Sequence, residues 1–132
     1  IMLDIKNIKM DISDIEESQL YGDIKWLAEA LSNVGKNCIE STPDGGQVKI
    51  SAEENAMYVK LCVIDSGTGI AEEDIPHLFE RFYRGKNSGK NGAGIGLALA
   101  KAIITQQNGR IIAENIMPCG AKFTIFFDRG VA

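Results

Sequence analysis

The run Tyr58-Val-Lys-Leu-Cys-Val-Ile64 constrains this chain more than any other stretch. Val59, Leu61 and Val63 fall at every second position, the spacing of a strand that turns one face to a core. The run ends on Asp65, so an acidic side chain is delivered where a buried strand stops. Gly67 and Gly69 follow at once, and the missing Cβ atoms let a ligand lie against bare backbone. Any fold for this sequence has to bury the inward face of this strand and deliver Asp65 at its end.

The segments on either side say what packs on that strand. Residues 5–13 alternate, with Ile8, Met10 and Ile12 in phase, which predicts a half-buried strand. Residues 14–22 are polar and turn-like, with a short strand expected around Ser18–Tyr21. Asp23 is placed as a helix N-cap, its acid suited to the helix dipole. From there Ile24, Leu27, Ala28, Leu31, Val34, Cys38 and Ile39 recur at helical spacing. Glu29, Asn33, Asn37 and Glu40 form a neighbouring stripe of amides and acids along the same helix. Thr42-Pro-Asp-Gly-Gly46 stops it.

A strand through Val48, Ile50 and Ala52 follows and meets the central one across a short connection at Glu53–Ala56. Residues 71–84 carry one or two short helical turns, around Glu72–Ile75 and Leu78–Tyr83. Between Gly85 and Gly94 there is no apolar anchor, and a mobile loop is expected. A second helix begins at Ile95 with Ile95, Leu99, Ala102 and Ile103 on one side, and Asn108-Gly109 stops it. Arg110–Ile116 and Ala121–Phe127 read as paired strands, with Phe123, Ile125 and Phe127 on one face. Hairpins dominate and two amphipathic helices need a surface. The expected fold is a two-layer α/β sandwich with a mixed, mostly antiparallel sheet and at most three helices on one face.

The totals narrow the function. A chain of 132 residues, 45% apolar and 24% charged, reads as one domain over 1–132. Its net charge of −4 argues against nucleic-acid binding. Cys38, Cys62 and Cys119 have no metal spacing and read as reduced thiols of a cytoplasmic-type compartment. No apolar run approaches the roughly 18 residues of a membrane span. The chain opens on Ile1, which reads as a piece of a longer protein.

Gly92-Ala-Gly-Ile-Gly-Leu97 places glycines at alternate positions before the second helix, where backbone N–H groups can face phosphate. Alone it is weak. No strand precedes it, as a dinucleotide fingerprint needs, and Gly85-Lys-Asn-Ser-Gly-Lys-Asn91 lacks the Walker spacing. Its force comes from combination with Asp65, a carboxylate able to accept from an adenine amino group.

The ordered set resembles the ATP-binding catalytic domain of sensor histidine kinases, within the gyrase and chaperone ATPase superfamily. Asn33-Val-Gly-Lys-Asn-Cys-Ile-Glu-Ser-Thr-Pro43 resembles the N box and Asp65–Ile70 the G1 box. Leu78-Phe-Glu-Arg-Phe-Tyr-Arg84 resembles the F box, Gly92–Leu97 the G2 box, and Gly120-Ala-Lys-Phe123 the last glycine motif.

The resemblance implies ATP and Mg²⁺ as cofactors, with Asn37 holding Mg²⁺ through its amide oxygen and Asn33 beside the same phosphates. It implies that Asp65 reads adenine while Gly67 and Gly69 leave room and Ile70 covers the ring. Arg84 and Lys90, with Lys86, are candidates for the phosphates, alongside Gly92, Gly94, Gly96 and Leu97. Phe79 and Phe82 are expected as core anchors, and His77 as a surface or packing residue.

Gyrase-like hydrolases carry a water-activating Glu where this chain has Asn33, an amide that cannot act as a base, so transfer is favoured over hydrolysis. The implied acceptor is a histidine on a separate dimerisation domain, absent from this chain, with a response regulator downstream. Glu40, Ser41 and Ala121 depart from the family pattern. Two alternatives stand beside this reading. One is a serine kinase of the anti-sigma-factor type, with Glu29 and Asn33 as base and metal ligand. The other is a docking module that no longer binds ATP.

Overall fold

The computed structural model describes residues 9–14, 24–54, 56–83 and 96–128. Five strands form one sheet: β1 (Lys9–Asp14), β2 (Gln47–Glu54), β3 (Tyr58–Asp65), β4 (Gly109–Asn115) and β5 (Ala121–Asp128). Their spatial order is β1-β2-β3-β5-β4. β1 lies parallel to β2, and every other pair is antiparallel. Among the described residues the α-helices are α1 (Ile24–Ser41) and α2 (Gly96–Gln106). The two-layer sandwich read from the sequence is the one observed.

Register explains why one face is apolar. Val63 sits opposite Ile50 on one side and Phe123 on the other, while Leu61 sits opposite Ala52 and Ile125. Ile111 of β4 continues that row beyond Ile125. Because side chains alternate across a strand, these all face the same way. Onto them pack Leu27, Ala30, Val34 and Cys38 of α1, and Leu97, Ala100, Ile103 and Ile104 of α2. Phe123 and Ile125 are almost wholly buried at the centre. Removing either side chain from water stabilises by about 1.5–3 kcal/mol.

The helical faces differ from expectation in phase. On α2 the buried residues are Leu97, Ala100, Ile103 and Ile104, whereas Leu99 and Ala102 are exposed. The predicted stripe and the buried one share only Ile103. α2 leans on both α1 and β4, and a run from Leu97 to Ile104 that is apolar except at Lys101 leaves periodicity little to discriminate with. On α1, Ala30 takes the buried place expected of Ala28, which is exposed.

Between β3 and α2 the expected helical turns are tighter than α-helix. One 3-10 turn spans Ile75–His77. Around it runs a series of i to i−3 bonds, from Asp74 N–H to Ala71 O through Tyr83 N–H to Glu80 O. Pro76 has no N–H to donate, which suits the first turn of such a segment and no longer helix. The expected strand at Ser18–Tyr21, the Asp23 cap and the Gly85–Gly94 loop lie outside the described residues.

Candidate nucleotide site

Asp65 stands at the carboxyl end of β3, only 2% exposed. Its Oδ1 accepts from Gly67 N–H at 2.9 Å and from Ala121 N–H at 3.2 Å. A buried side-chain oxygen needs such donors, and both come from backbone that no substitution of side chain removes. Burial first, and Asp65 second, push the neighbouring Cys38 thiol far above the ordinary range, so it stays protonated beside the acid.

Glycines permit the crowding around this acid. A Cβ on Gly120, at φ +109°, would lie 2.0 Å from Asp65 O. One on Gly67 would lie 2.3 Å from Ser41 O, so the last turn of α1 presses on the loop after β3. Gly69 has φ +82°, and a Cβ there would meet Asn115 Oδ1 at 2.9 Å. Ile70 is half-buried and packs against the core. Ser66 is tied back to Gln47 in both directions, Ser66 N–H to Gln47 O at 3.0 Å and Gln47 N–H to Ser66 Oγ at 2.8 Å.

The other end of the site lies along α1. Asn33, Asn37 and Glu40 are half-buried, while Glu29 is exposed. A Cβ on Gly96, the first residue of α2, would lie 3.7 Å from Asn33 Oδ1. Asn33 therefore faces the start of α2, and Ser41 faces the loop after Asp65. Eight residues of helix, roughly 12 Å, separate those two contacts, with Asn37 midway. α1 thus stands against Gly96 at Asn33 and against Gly67 at Ser41. Ser41 Oγ donates to Asn37 O at 3.0 Å, so that hydroxyl serves the helix end. Among the described residues, the buried side-chain polar atom without a hydrogen bond is Asn33 Nδ2.

The F-box segment borders the site and is held differently. Phe79 packs on the core edge-to-face with Phe123, centroids 6.5 Å apart, as an anchor should. Phe82 does not; at 62% exposure and φ +66° it is a correction to the expected pair of anchors. Tyr83 donates to Asp74 at 2.5 Å, which raises the tyrosine's pKa. His77 stacks on Tyr83 and meets Glu80 at 2.8 Å, a surface role as expected.

Of the predicted site residues, Asn33, Asn37, Asp65, Gly67, Gly69, Ile70, Gly96 and Leu97 are described. Leu97 is buried and serves the core. Arg84, Lys86, Lys90, Gly92 and Gly94 lie outside the described residues. Two participants escaped the sequence reading: Cys38 as a neighbour of Asp65, and Asn115. The latter bonds Ile70 from 45 residues away, a pairing for which local pattern holds no signal.

A buried acid at a strand end, glycines on its loop and an amide-bearing helix define a nucleotide-binding ATPase fold. Residues 22–131 match the histidine kinase-, DNA gyrase B-, and HSP90-like ATPase family, and the chain belongs to it. Within that family it is an ATP-binding catalytic domain of the sensor histidine kinase type. It is 32% identical over 123 residues to the signal transduction histidine-protein kinase BaeS of Escherichia coli K12, covering 91% of this chain and 26% of that protein. The heme sensor protein HssS of Staphylococcus saprophyticus is 33% identical over 118 residues, covering 89% and 25%. The chain thus spans about a quarter of the length of these relatives.

Among solved structures, the mycobacterial sensor histidine kinase MprB superposes with a TM-score of 0.87 at 25% identity, covering 96% of this chain and 88% of that one. Histidine kinase ThkA in complex with response regulator protein TrrA gives 0.79 at 25% identity, covering 97% and 36%. No helix among the described residues is long and apolar enough to cross a membrane.

Proposed function

We propose that this chain binds Mg-ATP and presents the γ-phosphate to a histidine on a separate dimerisation domain of its parent protein, in two-component signalling. The observation that carries the reading is Asp65, a buried acid fixed by two backbone N–H groups at the open end of β3. Such an acid suits an exocyclic amino group, because an isostere lacking that donor leaves a desolvated oxygen unpaired.

The residues present fit the implied cofactors. Gly67 and Gly69 let the loop after β3 press against Ser41 and Asn115, and Asn33 holds a buried amide N–H without an acceptor among the described residues. That donor suits a phosphate oxygen, and Asn37, one turn on, offers the hard neutral oxygen that Mg²⁺ takes alongside phosphate ligands. Bound Mg²⁺ would offset charge on the transferring phosphoryl group. Asp65 orients the base, the α1 amides orient the phosphates, and Asn33 gives no base to activate water, which favours transfer over hydrolysis. Arg84 and Lys90 are proposed for the phosphates, with Gly92 and Gly94 leading into α2. We place the chain in the cytoplasm on its free cysteines, with a response regulator as the eventual recipient, as TrrA is the partner of ThkA.

Glu29, the base of the serine-kinase alternative, is exposed while Asn33 faces α2, which favours the histidine-kinase register. Calorimetric titration of the chain with Mg-ATP should give saturable binding, and Asp65→Asn should weaken it about tenfold to a hundredfold. Equal affinities for the two proteins would remove Asp65 from the site, and no binding to either would favour the docking module.

A further inference from the structure

We propose that Asn115 is a positioning residue for the nucleoside end of the site, its side-chain amide holding the backbone of Ile70 in the nucleotide-ready geometry. The assignment rests on the nucleotide reading above. Asn115 is the last residue of β4. Its Oδ1 accepts from Ile70 N–H at 2.7 Å, and its Nδ2 donates to Ile70 C=O at 2.7 Å. A planar amide that accepts from and donates to one residue's main chain does what a neighbouring strand would do. Ile70 belongs to no strand, so the clamp replaces a ladder that the loop lacks.

The same end of the β4–β5 hairpin also holds the acid. Asn115 pairs across the ladder with Ala121, whose N–H donates to Asp65 Oδ1. Ile116 N–H bonds Gly120 O at 3.1 Å and closes the connection, and Gly120 rests on Asp65 O. Asp65 and Ile70 are thus fixed from one hairpin end, by a backbone N–H in one case and a side chain in the other. Gly69 completes the arrangement, since any Cβ there would strike Asn115 Oδ1. Backbone strain at this loop is absorbed by glycine, and its placement is set by Asn115.

Asn115 is exposed, so water can take over both bonds when the side chain is removed. The fold should survive. The loop would then have to be ordered at the expense of binding, which lowers affinity for any ligand gripped at the nucleoside end. ATP and ADP share that end and differ at the γ-phosphate, so both should weaken by the same factor.

The test compares the unaltered chain with Asn115→Ala and Asn115→Asp, by amide hydrogen exchange and by titration with Mg-ATP and Mg-ADP. For Asn115→Ala, Ile70 exchange should rise about tenfold while Val63 and Ile125 change less than about twofold, and both affinities should fall about tenfold. Asn115→Asp keeps the acceptor for Ile70 N–H and loses the donor, so it should restore Ile70 protection and give intermediate affinities. A uniform rise in exchange across Val63, Ile125 and Ile70 would mean a merely structural role and overturn the assignment. So would an alanine variant that matches the unaltered chain in Ile70 exchange and both affinities. No nucleotide binding by the unaltered chain would instead overturn the nucleotide reading itself, and this assignment with it.

Discussion

The nucleoside end of the site and the F-box segment sit on the same sandwich yet are built by opposite means. Around Asp65 the contacts are buried, short and mostly backbone: Gly67 and Ala121 N–H on one oxygen, Gly120 against the Asp65 carbonyl, and the α1 end against Gly67. From Asp74 to Tyr83 the ties are an exposed His77–Glu80 pair, a part-buried Tyr83–Asp74 bond and three-residue turns, with Phe79 as the anchor and Phe82 facing solvent. Buried backbone bonds open only when the core opens, whereas exposed pairs exchange with water at little cost. On the function proposed above, the end around Asp65 would hold the nucleotide firmly while the other segment stays adjustable as an acceptor comes and goes.

The sharpest way to break the contrast is through the core under the nucleoside end. Phe123→Ala should cost about 3–5 kcal/mol in denaturant unfolding, since Phe123 is fully buried and carries the Phe79 ring. A loss below about 1 kcal/mol would mean the sheet face collapses readily onto a cavity. Gly120→Ala comes next, at about 2–4 kcal/mol, because the new Cβ would overlap Asp65 O in a left-handed backbone. If that variant matched the parent in stability and in Mg-ATP affinity, the crowding described at Asp65 would be wrong.

Alkaline pH offers a finer probe of the buried end. The folded Cys38 thiol titrates above its unfolded value, so its contribution is whole below about pH 9 and is lost as pH rises toward the folded value. Melting temperature should fall through that alkaline window, and Cys38→Ala should lessen the decline. Thiol labelling at pH 8 should reach exposed Cys119 first, with buried Cys38 and Cys62 reacting only on unfolding. Early labelling of Cys38 would contradict its seclusion beside Asp65. The smallest effect belongs to the other region: Phe82→Ala should change stability by no more than about 0.5 kcal/mol, because the ring is exposed. A larger loss would show that the F-box segment is tied to the core more firmly than its bonds indicate.

How much of this was written in the chain varies from element to element. β3 and its terminal acid were legible because period-two alternation and a strand-ending Asp-x-Gly-x-Gly are local signals. The Asn33–Asn37 stripe was legible for the same reason at helical period. The buried face of α2 was not, since Leu97, Leu99, Ile103 and Ile104 are all apolar and only contact with α1 and β4 selects among them. Phe79 and Phe82 are alike in sequence, and the left-handed backbone at Phe82 turned one of them outward.

By itself, then, the sequence determined the order of strands and helices, the two-layer arrangement and the placing of Asp65 at a strand end, because hydrophobic period and glycine placement act over a few residues. Tertiary structure alone decided that β5 enters between β3 and β4, bringing Ala121 N–H to Asp65 and Asn115 to Ile70. Those contacts join residues 45 and 56 positions apart, and only the closing of the sheet makes them neighbours.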